Sequence, residues 1–126
     1  MAKLEWEESW SVGNDTLDKE HMSLIIIINR VLAGEGPMEM VLRDLADYAN
    51  NHFNREEGLM QSANYEELDA HKHEHHMFVE WVNEITTTLS RAPEARHLLG
   101  DTIHEYLQKW LKEHILNIDM AYKGKL

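Results

Sequence analysis

Apolar residues recur at three- and four-residue intervals along most of this chain. Leu42, Leu45, Ala46, Ala49 and Phe53 form one such stripe, and Ile103, Leu107, Trp110, Leu111, Ile115 and Ile118 form another. That period is the signature of an α-helix with one buried face. The stripes are interrupted at Gly34-Glu35-Gly36-Pro37, more weakly at Ser62-Ala63-Asn64, and at Ala92-Pro93. Gly and Pro stop helices, and Pro37 stands where a first helical residue tolerates it. Four helices are predicted, over about 16–33, 37–62, 65–91 and 93–118, after an aromatic arm of about residues 1–15. Short connections make sequential helices antiparallel neighbours. The expected fold is all-α: an up-down-up-down antiparallel four-helix bundle with an N-terminal arm, forming one domain over residues 1–126 with a short tail beyond about residue 120.

Two stretches resist this pattern. Ile25 to Ile28 is a β-branched run that could read as a strand, but no partner strand exists elsewhere. Asp15 and Asp18 ahead of it supply a helix cap and favourable dipole charge. Ile26 and Ile27 fall off the face that carries His21; burial on the bundle flank is favoured over an oligomer interface, so a monomer is the expected state. Gly58 lies inside the second helix at a cost of about 1 kcal/mol relative to Ala, and is either a point of close backbone approach or simply tolerated.

Composition narrows the function. The 126 residues carry twelve basic and twenty-three acidic side chains, a net charge of −11. Such a surface repels phosphate backbones, so nucleic acid is not an expected partner. The absence of cysteine excludes disulfide frameworks, thiolate zinc or iron–sulfur sites and cysteine nucleophiles. The longest apolar run, Leu24 to Ile28, is far short of the ~20 residues a membrane span needs. With no targeting segment visible, a soluble cytoplasmic protein is expected.

Nine histidines in so short a chain are the outstanding feature. His21 lies near the start of the first helix; the second carries His52 and Glu56, the third His71 and His75, and the fourth His114 with Asp119 just beyond it. A four-residue step returns to nearly the same helix face, so HxxxE and HxxxH each aim two side chains one way. In an antiparallel bundle, early positions in helices one and three share an end with late positions in helices two and four. All seven groups therefore collect at one end. His73, His76, His97 and His104 fail this test of face or level and are assigned surface or satisfied polar roles. Five imidazoles and two carboxylates exceed one ion's ordinary coordination but suit two ions sharing both carboxylates. Nitrogen-rich, oxygen-bridged octahedral surroundings point to iron before zinc. His114 and Asp119 are five residues apart, about 140° around a regular helix. An irregularity, such as a π-type turn, is therefore predicted between them.

These residues resemble a known family. Trp6 and Trp10 in the arm, VGNDTLDKEH ending at His21, HFNREE from His52, LMQSANYEELDAHKHEH ending at His75, and WLKEHILNID from Trp110 to Asp119 are together similar to hemerythrins, particularly the single-domain bacterial ones. The pattern H…HxxxE…HxxxH…HxxxxD is filled at every position. The resemblance implies two iron ions, one bound by His71, His75 and His114 and the other by His21 and His52. Glu56 and Asp119 would bridge them, with an oxo or hydroxo group as third bridge. Dioxygen, the implied partner, would bind end-on at the two-histidine iron. The resemblance also places Leu24, Phe53, Leu111 and Ile115 around the oxygen pocket. An apolar wall there keeps out water and protons, which would otherwise help expel oxygen as peroxide and leave ferric iron. Reversible oxygen binding, for carriage, storage or delivery, is the expected function. The alternatives are a di-iron enzyme (peroxidase, oxidase or nitric-oxide-handling) and an oxygen or redox sensor using the same site. Oxidases of the ferritin type place paired ExxH motifs in their bundles, and no such pair is present here.

Overall fold

A computed structural model of the chain describes residues 4–34 and 36–125, apart from the side chains of Arg96 and His97. The expectation for His97, and those parts of the arm, the first turn and the tail that fall on residues 1–3, Glu35 and Leu126, lie outside the described residues. Four helices follow one another: α1 Asp15–Leu32, α2 Met38–Ser62, α3 Leu68–Arg91 and α4 Arg96–Glu113. The chain then passes through a π turn, His114–Ile118, and a 3-10 turn, Asp119–Tyr122. The fold is the expected all-α four-helix bundle.

Each boundary has a local cause. Asn14, rather than Asp15 or Asp18, caps α1: its side chain accepts the Leu17 N–H at 3.0 Å. The Asp18 carboxylate turns back instead, accepting from the Ser11 hydroxyl and the Val12 N–H, and so ties the arm to the helix. Pro37 stands just before α2 instead of inside it. At the end of α2, Asn64 takes a left-handed φ of 54°. The Tyr65 N–H then reaches the Met60 carbonyl and the Asn64 N–H reaches Gln61. This two-bond closure satisfies carbonyls at the helix end and delays α3 to Leu68 rather than residue 65. Likewise the 3-10 turn Pro93–Ala95 delays α4 to Arg96. The arm is held by Asn29, whose amide both accepts from the Leu4 N–H and donates to the Leu4 carbonyl, each at 2.9 Å.

The core has two parts. A large cluster includes Leu24, Ile28, Leu45, Phe53, Phe78, Leu107, Leu111 and Ile115. A small one gathers Val12, Leu17, Met60 and Tyr122, with Tyr65 and Leu68 packed on it. Along every helix the seven polar positions lie between members of these two clusters: Leu17 and Leu24 flank His21, and Met60 and Phe53 flank Glu56. On α3, Leu68 and Phe78 flank the histidine pair, and on the last segment Tyr122 and Ile115 flank Asp119. The site is thus a polar layer between two apolar ones. Ile26 is exposed, whereas Ile27 packs on the large cluster.

Leu107 is fully buried in the large cluster. Leu107→Ala is expected to lower the unfolding free energy by about 2–5 kcal/mol in urea titration, through lost burial and the cavity left behind. Gly58 shows the opposite balance: a Cβ there would meet nothing within 4 Å. Close approach is therefore not its role, and Gly58→Ala should stabilise the protein by about 1 kcal/mol in the same titration.

Candidate metal centre

Each helix contributes side chains to the polar layer because the four-residue steps in α2 and α3 hold two groups on one inward face. The π turn does the same for the fourth segment. Its i→i+5 bonding, with the Asp119 N–H reaching the His114 carbonyl, brings residues five apart onto one side. His114 Nε2 lies 3.0 Å from Asp119 Oδ1 as a result. The predicted irregularity is present between the two residues that required it.

All seven residues are buried, none more than 4% exposed. Their inward atoms form two overlapping sets: Glu56, His71, His75, His114 and Asp119; and His21, His52 and Glu56. In the first, Glu56 Oε1 stands 2.9 Å from His71 Nε2 and 3.0 Å from His75 Nε2. Asp119 Oδ1 is 2.8 Å from His71 Nε2, and the His75 and His114 Nε2 atoms are 3.2 Å apart. The second oxygen of each carboxylate faces the other set. Glu56 Oε2 is 3.4 Å from His52 Nε2 and 3.6 Å from His21 Nε2, and Asp119 Oδ2 is 3.0 Å from His21 Nε2. Each carboxylate therefore spans two histidines on one side and one or two on the other.

The donor set fits metal ions on two grounds. Inward atoms of His21, Glu56, His71 and Asp119 are buried with no hydrogen-bond partner. Buried polar atoms in native proteins are nearly always partnered, and an unpaired one costs a few kcal/mol. A bound cation would satisfy them together. The spacing is the second ground: a six-coordinate ion with bonds of about 2.1 Å sets neighbouring ligand atoms about 3.0 Å apart, against about 3.4 Å for a tetrahedral one. The 2.8–3.2 Å separations around His71, His75 and His114 match the six-coordinate value.

Several side chains around this set escape sequence reasoning. The Nδ1 of His52 pairs with Glu20 Oε1 at 2.9 Å, and Glu20 is bound in turn by Arg55. The Nδ1 of His75 pairs with Glu57 Oε2 at 2.7 Å. The Tyr122 hydroxyl donates to Glu56 Oε2 at 2.8 Å. Glu20 and Glu57 are sequence neighbours of His21 and Glu56, yet each serves a histidine on another helix, which no spacing along one helix discloses. Tyr122 follows Asp119 by three residues, a one-face step that is the only available hint.

Apolar and aromatic groups close the layer. Leu24, Phe53, Leu111 and Ile115 are all buried in the large cluster. The Phe53 ring stacks on His75 at 3.8 Å between centroids, and Trp110 stacks on His114 at 4.5 Å. Away from the layer, His73 is exposed, His76 is exposed with its Nε2 3.1 Å from Glu80, and His104 is half-buried. None of the three joins the sets.

Residues 12–126 match the hemerythrin family, described as the Hemerythrin HHE cation binding domain. The chain is 30% identical over 131 residues to a bacteriohemerythrin of Stenotrophomonas maltophilia (strain R551-3), covering all of this chain and 83% of the relative. It is 33% identical over 122 residues to a myohemerythrin of Theromyzon tessulatum, covering 97% and 92% of the two chains. The fold superposes on a wild-type hemerythrin crystal structure with a TM-score of 0.81 at 24% identity, over 99% of this chain and 98% of that one. A four-helix bundle with a buried layer of histidine and carboxylate side chains able to hold metal defines the class. The chain belongs to the hemerythrin family.

Charge in the metal-free layer follows from its geometry. Burial opposes protonation of His21, but the neighbouring Asp119 and Glu56 carboxylates outweigh it and raise its pKa to about 9. His71 is raised to about 9 by the same balance. Burial pushes the Glu56 carboxyl up, and the facing imidazoles of His21, His52, His71 and His75 bring it well below the usual range. Asp119 is also lowered, burial being overcome chiefly by His114 and His21. Tyr122, raised by burial and by both carboxylates, keeps its proton. For a histidine whose folded pKa is raised, the stabilisation is complete below the unfolded value and fades as pH climbs through the folded one. The metal-free protein should therefore lose thermal stability between the ordinary 6.5 and about 9, measured as Tm against pH. A flat Tm across that window would contradict this charge balance.

Proposed function

We propose that the protein binds dioxygen reversibly at a carboxylate-bridged di-iron site, for oxygen carriage, storage or delivery. His71, His75 and His114 would hold one iron and His21 and His52 the other, with Glu56 and Asp119 between them. The observation that carries this reading is the pair of buried carboxylates, each presenting one oxygen to either group of histidines. Family membership supports it, since the matched domain is described as cation-binding and the relatives are named as hemerythrins. Iron, when bound, supplies the electrons and the open coordination position needed to take up dioxygen and release it.

The chain's own residues set the conditions for reversibility. The two-histidine side has fewer protein donors than the three-histidine side, which leaves room for a small ligand. Leu24, Phe53, Leu111 and Ile115, buried in the large cluster one turn or less from His21, His52 and His114, would exclude water from the site. Tyr122 holds its proton on the hydroxyl, directed at Glu56 Oε2, and so keeps that carboxylate oriented and anionic. Five neutral imidazoles with only two carboxylates make a less electron-rich set than the carboxylate-laden sites of oxidases, which favours binding over turnover.

The test is an oxygenation cycle. Air admitted to the reduced, iron-loaded protein should produce a visible charge-transfer band that fades when oxygen is withdrawn and returns over repeated cycles. Irreversible oxidation on the first exposure would favour an enzyme using the same site. His71→Ala should sharply lower iron content by elemental analysis, because His71 Nε2 contacts both carboxylates. Undiminished loading of two irons would refute its role as a ligand.

A further inference from the structure

Two of the five inward histidines carry a glutamate behind them, and the two glutamates differ. Glu20, behind His52, is 12% exposed and is bound by the Arg55 guanidinium, so its charge is offset. Glu57, behind His75, is 20% exposed and sits in a groove of about 290 Å³ between α2 and α3, beside Asn50, Asn54, Lys72 and His76. Lys72 lines this groove, but among the described residues no lysine or arginine forms an ion pair with Glu57. The hydrogen bond from His75 Nδ1 to Glu57 Oε2, at 2.7 Å, is the shorter of the two. On its other side the same imidazole is clamped face to face against Phe53, the planes 3° apart.

These constraints act on one bond. A neutral imidazole carries its proton on one nitrogen only, and a carboxylate at Nδ1 accepts from that nitrogen. Nε2 is then the unprotonated nitrogen, and it is the atom 3.0 Å from Glu56 Oε1 and 3.2 Å from His114 Nε2. An anionic acceptor also draws the Nδ1 proton toward itself and makes Nε2 the more basic donor. We propose that Glu57 is a positioning residue of the metal centre: it holds His75 as the Nδ1–H tautomer and, with no lysine or arginine ion-paired to it among the described residues, strengthens His75 as a ligand. Resting on the site assignment made above, this goes beyond it by giving a role to a residue outside the seven. The amide of Glu57→Gln keeps an acceptor oxygen and loses the charge, whereas Glu57→Ala loses both.

Cobalt(II) and zinc(II) binding to the metal-free protein provide the test without relying on oxygen chemistry. The wild-type chain should take up two cobalt ions. In Glu57→Ala one of the two dissociation constants should rise about ten- to a hundredfold, with Glu57→Gln in between. In the zinc-loaded protein, the far-downfield proton resonance of His75 Nδ1–H should be present in wild type, shifted upfield in Glu57→Gln, and lost to solvent exchange in Glu57→Ala. Thermal unfolding of the metal-free variants separates a general loss of structure from this specific effect. Wild-type cobalt affinity in Glu57→Ala, or weakened affinity with the His75 resonance unmoved, overturns the role of Glu57. Failure of the wild-type chain to take up two ions overturns the site assignment itself.

Discussion

Two carboxylates buried among five imidazoles, with several of their atoms left unpartnered, constitute the constraint on which the rest of this molecule depends. Placing Glu56 and Asp119 at 0% exposure in a domain of this size carries a large desolvation cost. In the metal-free chain that cost is offset by protons on His21 and His71. A metal ion needs these imidazoles unprotonated, so metal and proton compete for one layer.

The bundle exists in the form that this layer requires. Antiparallel helices bring the early turns of α1 and α3 level with the late turns of α2 and the last segment. The apolar clusters above and below close both sides of the layer. One helix departs from regular geometry, and it does so where regularity would fail: the π turn at His114–Ile118 rotates Asp119 onto the face of His114. Beyond the layer, Glu20, Glu57 and Tyr122 orient groups that would otherwise rotate or take the wrong tautomer.

Much of this was legible in the sequence for one reason: the 3.6-residue period converts spacing into direction. It predicted the four helices, placed seven polar side chains at one end, and made the five-residue step from His114 to Asp119 an anomaly that demanded a turn of another kind. Period says nothing about where a helix begins when a short turn intervenes. The left-handed Asn64 and the 3-10 turn at Pro93–Ala95 therefore shifted the starts of α3 and α4 by three residues each. Capping was misassigned because Asn14 and Asp15 are equally good caps by type, and only the backbone decides between them. Partners such as Glu20 with His52 depend on the rotation of one helix against another, and that rotation is not written in either helix alone.

Anomalous diffraction at the iron absorption edge, from crystals of the iron-loaded protein, tests the central claim most directly. Two peaks are expected within the buried layer. One should be bounded by His71, His75 and His114 and the other by His21 and His52, with Glu56 and Asp119 lying between them. A single peak, or iron bound outside these seven residues, would contradict the account.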